Sequence, residues 1–328
     1  MSWNNITRKI SSLIPIVGII LFIYIIISIG IDKILYTFSL IPIWYYIVAL
    51  IVFIPKLLLA AYKWRYISRK QKMNLEFSYL AKLFLMSLFY AAITPGAIGI
   101  HIRIYYIKKR IKTSLEKCIA NSFIDAVSGV IGGIILATIG ALIYLNLYAS
   151  LFSILAVTLV FYVSAFIFFI EKKRGSKFFQ FIIKPFLPVR YQENFNQSIE
   201  ALYEDIPSLY ELIPIFLFEI VIWSIAATQV YVLSQAFSLD IPYPEFIIAS
   251  VISVVIATAI PISIGGLGVR EGTFVLLLSQ YGVSSEIAFV LSLSGFLVKN
   301  FIPGVIGLIL FLIGGEKKIL IREEDIIS

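Results

Sequence analysis

The sequence predicts an all-α polytopic membrane protein: six transmembrane helices plus two re-entrant helical hairpins, arranged as a 3+3 inverted repeat. Three observations predict it. Long apolar runs carry no charge, basic residues gather in particular connectors, and two glycine-turn segments share one register.

The first observation fixes the solvent. Of 328 residues, 60% are hydrophobic and only 14% charged, with mean hydropathy +0.97, whereas a soluble domain has about 25% charged residues. Uncharged runs include Ile10–Ile31, Ile34–Pro55, Leu83–Ile100, Ala126–Ile170, Phe246–Val269 and Asn300–Gly315. A spanning helix needs roughly 20 mostly apolar residues, so most runs suffice and Ala126–Ile170 suffices for two. No small-residue cleavage site follows the first run, so it reads as an uncleaved span. One cysteine, Cys118, excludes an internal disulfide, and one histidine, His101, argues against a metal cluster. No cofactor is expected. The net charge of +8 lies in short connectors, which points to anionic lipid headgroups and away from nucleic acid.

The second observation sets topology. Arg8–Lys9, Lys63–Lys72, Arg103–Lys117, Lys172–Arg190 and Lys317–Arg322 hold 22 of the 27 basic residues. By the positive-inside rule all five are cytoplasmic. Both termini are then cytoplasmic, in a multi-pass protein of the cell membrane. Two segments consequently return to the side they left, one turning at Pro95-Gly96 and the other near Ile264–Gly268. Such backbone is tolerated at membrane depth only where protein or water surrounds it.

The third observation relates these turns. Glu76 precedes Gly96 by 20 residues, and Glu245 precedes Gly265 by 20. Thr94 then matches Ser263, and Gly96-x-x-Gly99 matches Gly265-x-x-Gly268. Expected spans are 10–31, 34–62 and 118–145, then 147–170, 212–238 and 284–313. The hairpins occupy 75–102 and 245–281. Residues 1–170 hold the first repeat and the first span of the second, 212–315 the rest of the second. Between them, 171–211 form a cytoplasmic amphipathic connector, whose Phe178-Phe179 and lysines suit a helix in the interface. Residues 316–328 form a tail. Broken helices that meet near the midplane form the binding sites of many inverted-repeat transporters.

GGLGVREG (Gly265–Gly272), with YGVSSEIA and Lys299 downstream, resembles the transmembrane region of lysylphosphatidylglycerol synthases, a flippase-like family also found in multiple peptide resistance factors. TPGAIGIHIR (Thr94–Arg103) resembles that family's first Pro-Gly-x-x-Gly motif, and Asp125 matches an aspartate in the next span. The chain departs from the pattern at Ala97, Ile100, Asn121-Ser122 and Ile264. The resemblance implies lipid translocation. The soluble domain that makes the aminoacyl lipid in synthase members is not expected in the 13 residues after Gly315.

Chemistry supports an anion site at the second turn. A helix that starts near Gly268–Arg270 presents free N–H groups and a positive dipole end, glycines allow close approach, and Arg270 is a planar donor suited to phosphate. Gly265, Gly266, Gly268 and Arg270 are therefore expected to bind a lipid phosphate, with Gly96, Gly99 and Arg103 contributing from the first turn. Adjacent helix residues point about 100° apart, so Glu271 is expected to pair with another element, Lys299 being the best candidate, rather than with Arg270. The bland alternative is a salt-bridge network that pins the hairpin. Asp125 and Glu219 are costly in lipid and should face the interior, as coupling, headgroup-binding or simple hydrogen-bonding groups. His101 reads as a helix-end polar group. The function expected is transport of an anionic, modified or polyprenyl-phosphate lipid between leaflets, without catalysis. A small-solute or ion transporter, a membrane-embedded lipid transferase and an accessory scaffold are the alternatives. Partners are membrane lipids, with a homo-oligomer or a separate lipid-modifying enzyme left open.

Overall fold

The computed structural model describes residues 19–94, 96–111, 113–259 and 264–313. Among these, every regular element is helical. Five helices are long and apolar enough to cross a bilayer: α3 (Ile43–Lys70), α6 (Leu115–Ile143), Asn146–Ile170 within α7, Leu209–Phe237, and Ser285–Ile313. A bent pair makes a sixth if counted as one span, α1 (Ile19–Ile29) and α2 (Ile31–Ser39), which meet at 82°.

The bend corrects the expected second span at 34–62, while the expected first span at 10–31 lies partly outside the described residues and its described part ends as α1 at Ile29. Gly30 takes φ 94, open to glycine but not to most residues, and breaks the described part of the first run. The next long helix starts only after Pro42, whose fixed φ suits a helix entry. It then continues to Lys70, past the charges expected to end it. Lys63 and Trp64 are buried there, so neighbouring helices, not bulk water, receive that turn. The other long helices lie within a few residues of expectation: α6, α7 (Leu145–Ile170), α10 (Leu209–Ser234), and α13 (Ser285–Phe296) running through a π-helical turn at Leu297–Phe301 into α14 (Ile302–Ile313).

Two apolar helices are shorter, α4 (Phe77–Ile93) and α11 (Tyr243–Ala259), each of 17 residues. At 1.5 Å per residue they reach about 25 Å, less than the roughly 30 Å hydrocarbon core. After α4 the chain turns, makes a 3-10 helix at Ile98–Ile102 and continues as α5 (Arg103–Ile111). After α11 it turns and returns as α12 (Val269–Ser279).

Packing places each short helix against a long helix distant in sequence. α4 lies along α14, and α11 lies along α6. Missing side chains make both contacts possible. A Cβ on Gly304 or Gly307 would strike the α4 backbone near Phe89 and Leu85, and one on Gly140 would strike Ile248. α10 packs on α3 and also on α6, where Gly132 and Gly133 receive Glu219 and Trp223. Close backbone approach through small residues is the main packing device where lipid supplies no hydrophobic drive.

The connector is two helices rather than one, α8 (Lys172–Ile182) and α9 (Val189–Leu202). Pro185 and Pro188 lie between them, and neither can donate to a continuing helix. Phe178 meets Phe169 at the end of α7 edge-on and Phe179 meets it tilted, while Phe181 and Phe186 are exposed. Asp205 fastens the connector to the helices, accepting from Lys117 at 2.8 Å and facing Lys72 at 2.5 Å.

Candidate functional site

The two turns match in backbone as well as in sequence. Gly96 and Ala97 take φ 58 and 55, and Gly265 and Gly266 take φ 58 and 78. Each turn thus has two consecutive left-handed residues at equivalent positions. The match ends at the third position. Gly268 is left-handed at φ 85, whereas Gly99 sits in the 3-10 helix, its N–H donated to the Thr94 hydroxyl at 2.8 Å. Thr94 also donates to the Tyr90 carbonyl at 2.7 Å, which closes the end of α4. The matching Ser263 lies outside the described residues.

The tips converge. Gly96 and Ala97 share one cavity of about 310 Å³ with Gly265, Gly266, Trp223, Phe296 and Arg270. A Cβ on Gly265 would come within 2.9 Å of the Ala92 carbonyl, so glycine is needed for the approach. At the rim Gly96, Ala97 and Thr258 are exposed, flanked by exposed Ile93 and Ile98. A second chamber of about 200 Å³ adjoins it through Leu88, Trp223, Val254, Arg270 and Asn300.

That inner chamber holds three buried cations. Lys56, Arg270 and Lys299 line it, at 7%, 4% and 7% exposure. Their placement follows from helix irregularities. Pro303 has no N–H to give the Lys299 carbonyl four residues earlier, and a π turn forms there, as it often does at functional sites. The freed carbonyls find side chains instead. Lys56 donates to the Lys299 carbonyl at 3.3 Å and Gln229 to that of Val298 at 3.3 Å. Among the described residues neither lysine has a carboxylate within 4.0 Å.

Glu271 differs from expectation. Its partners are Arg270 and the start of its own helix, and no Lys299–Glu271 ion pair forms. Gly268 donates its N–H to Glu271 Oε2 at 2.7 Å, and Arg270 Nε donates to Oε1 at 3.0 Å, with Nη2 on the same oxygen. The 100° argument assumed side chains that project outward. In a first turn the third residue reaches back to the free N–H groups, as in a capping box, and Arg270 folds back in the same direction. Its guanidinium also donates to the Gly265 carbonyl at 3.1 Å and the Ser292 hydroxyl at 3.3 Å, and lies 4.6 Å from the Phe296 ring. Arg270 therefore braces the turn and faces both chambers.

Other expected residues gather in a separate cluster. Arg103 is fully buried and pairs with Asp125, which also lies 2.7 Å from Lys63. Lys63 in turn pairs with Glu219. Arg103 Nε donates to the Ile100 carbonyl at 2.9 Å, and its guanidinium stacks 4.7 Å from Trp64. Two cations and two carboxylates cancel here. Arg103, expected to act with the glycines, lies outside the residues that line the chambers, because Asp125 captures it. His101 shares a hydrogen bond of 2.8 Å with Ser122, as a helix-end polar group would. Lys56 and Lys63 were missed. Both lie on the long apolar helix α3, where Lys63 reads as the start of a cytoplasmic basic stretch, and the only signal for Lys56 is its isolation at the end of an uncharged run. No group of His, Cys, Asp and Glu suited to a metal occurs among the described residues.

No curated protein matches the chain. The sequence model of the lysylphosphatidylglycerol synthase TM region matches residues 13–307, which reaches into α14 and includes both glycine turns and both charged clusters. The chain belongs to the family of the lysylphosphatidylglycerol synthase TM region.

Proposed function

We propose that the protein moves a lipid with an anionic headgroup between leaflets, holding the headgroup where the two glycine turns meet. The inverted 3+3 repeat is part of this reading. It is supported by reciprocal packing, since exchanging the halves turns the α4–α14 contact into α11–α6. It is supported too by the paired left-handed residues of the turns. On this reading α4 with α5, and α11 with α12, are hairpins that enter from opposite faces.

One observation carries the function: three buried cations line an inner chamber that joins a wider one whose rim is flanked by exposed isoleucines. Cations buried in protein are costly unless something negative meets them. An apolar rim suits acyl chains that remain in the bilayer while a headgroup enters. A soluble solute needs no such rim. The chemistry is binding and passage, with no covalent step.

Reconstitution into vesicles that carry fluorescent anionic lipids tests this. The parent protein is expected to speed exchange between leaflets, and Arg270→Lys to slow it at least about tenfold, since a point-charge ammonium cannot keep the planar fork. Normal abundance of Arg270→Lys with unchanged lipid movement would sink the assignment. Ala226→Phe, which fills the inner chamber, is expected to block movement without unfolding the protein.

A further inference from the structure

We infer that the inner chamber selects a phosphate monoester headgroup, one that carries two negative charges, over a phosphodiester or an aminoacylated headgroup. The inference rests on the lipid-transport reading and adds the chemical class of its cargo.

The argument is a charge balance between two buried clusters. Lys63, Arg103, Asp125 and Glu219 pair with one another and sum to zero. Lys56, Arg270 and Lys299 line one chamber, and among the described residues the one ion pair any of them makes is Arg270 with Glu271, which leaves a formal excess of two positive charges there. The lysines line the chamber while more than nine-tenths buried, where an unpaired charge is costly.

A monoester phosphate carries about −1.5 to −2 at neutral pH and three acceptor oxygens. It matches the excess and offers an oxygen to each of Lys56, Arg270 and Lys299. A phosphodiester has a single charge and leaves one cation uncompensated. A lysylated headgroup adds positive charge to a surplus of it. Size agrees. At about 200 Å³ the chamber is smaller than the roughly 300–1,000 Å³ of sites for drug-sized ligands, which suits a phosphate without a large substituent. The same chemistry exists in water-soluble phosphomonoesters, so the test separates the two sources.

Purified full-length protein is presented with equimolar phosphatidate, phosphatidylglycerol and phosphatidylcholine, and bound lipid is read by native mass spectrometry. Exchange of the same lipids is followed in vesicles, and glycerol 3-phosphate uptake is measured in parallel. Phosphatidate is expected to bind at least about tenfold more than phosphatidylglycerol, with Lys56→Gln and Lys299→Gln each removing most of that preference. Lys82→Gln, exposed on α4, serves as control and is expected to change nothing. Equal binding and movement of phosphatidylglycerol overturns the charge inference and leaves lipid transport standing. Uptake of glycerol 3-phosphate with no lipid movement overturns the lipid reading and keeps the monoester inference. Loss of binding in the variants without a change in lipid ratio overturns the selective role of the lysines.

Discussion

At the residue scale the molecule is governed by which buried charges have partners. Lys63 sits between Asp125 and Glu219, so Lys63→Met leaves Glu219 buried without its cation. Removing one member of a buried pair costs about 3–5 kcal/mol, and a matching fall in thermal midpoint in detergent is expected. The double variant Lys63→Met with Glu219→Leu should recover most of it, because replacing both partners by apolar groups is often neutral. A double variant no better than the single would mean that Lys63 acts mainly through Asp125. Glu271 poses the opposite problem, as the carboxylate that pairs with Arg270 beside two buried lysines that have no carboxylate partner among the described residues. Glu271→Gln is expected to lower the midpoint at low ionic strength, and added phosphatidate to restore part of it.

At the element scale, glycines decide how closely helices pack. Gly132 faces Glu219 across the α6–α10 contact, with no room for a methyl group. Gly132→Ala is expected to cost about 1–3 kcal/mol by overpacking, read from thermal unfolding. Gly30 gives a contrast with a different cause. Nothing lies within 4 Å of a Cβ there, but φ is +94. Gly30→Ala is therefore expected to strain the bend between α1 and α2 without a steric clash, so a smaller second residue at the neighbouring position should not rescue it. The π turn is an element-scale device as well. Pro303→Ala returns an N–H to the Lys299 carbonyl, and the lysines should shift and weaken anion binding while the fold persists.

At the scale of the whole molecule, the connector and the orientation are testable. Asp205 joins α9 to α6 and to the end of α3, and the Lys117 hydrogen bond, followed by that of Lys72, holds its carboxyl below the ordinary 3.8. A lowered carboxylate stabilises the fold above the unfolded value and ceases to as pH falls through the folded one. The stability gap between the parent and Asp205→Asn should thus be full above pH 3.8 and close below it, followed by tryptophan fluorescence. A gap that is unchanged into acid would show that the charge is immaterial. Orientation is checked in a Cys118→Ser background. Asp240→Cys is expected to react with an impermeant thiol reagent from outside, and Arg110→Cys only after permeabilisation. Both labelling from one side would remove the inverted arrangement.

Much of this was legible in sequence, for reasons tied to particular residues. Uncharged runs of spanning length require helices, because an unpaired backbone group in lipid costs several kcal/mol. Gly96 and Gly265 were readable as turns because few other residues adopt their φ, and Asp125 and Glu219 as interior because lipid rejects them. The partners of the charges were not readable. Arg270 and Glu271 pair because a first helical turn bends both side chains back to its own N–H groups. Arg103 leaves the glycines for Asp125, which is 22 positions away. Lys56 meets Lys299 because α3 passes a carbonyl that Pro303 has left without a donor. Apolar periodicity and charge placement act along the chain and fix which segments enter the membrane. Electrostatic pairing acts across space at a few ångströms, so only the packing of helices remote in sequence could decide where positive charge is left in surplus.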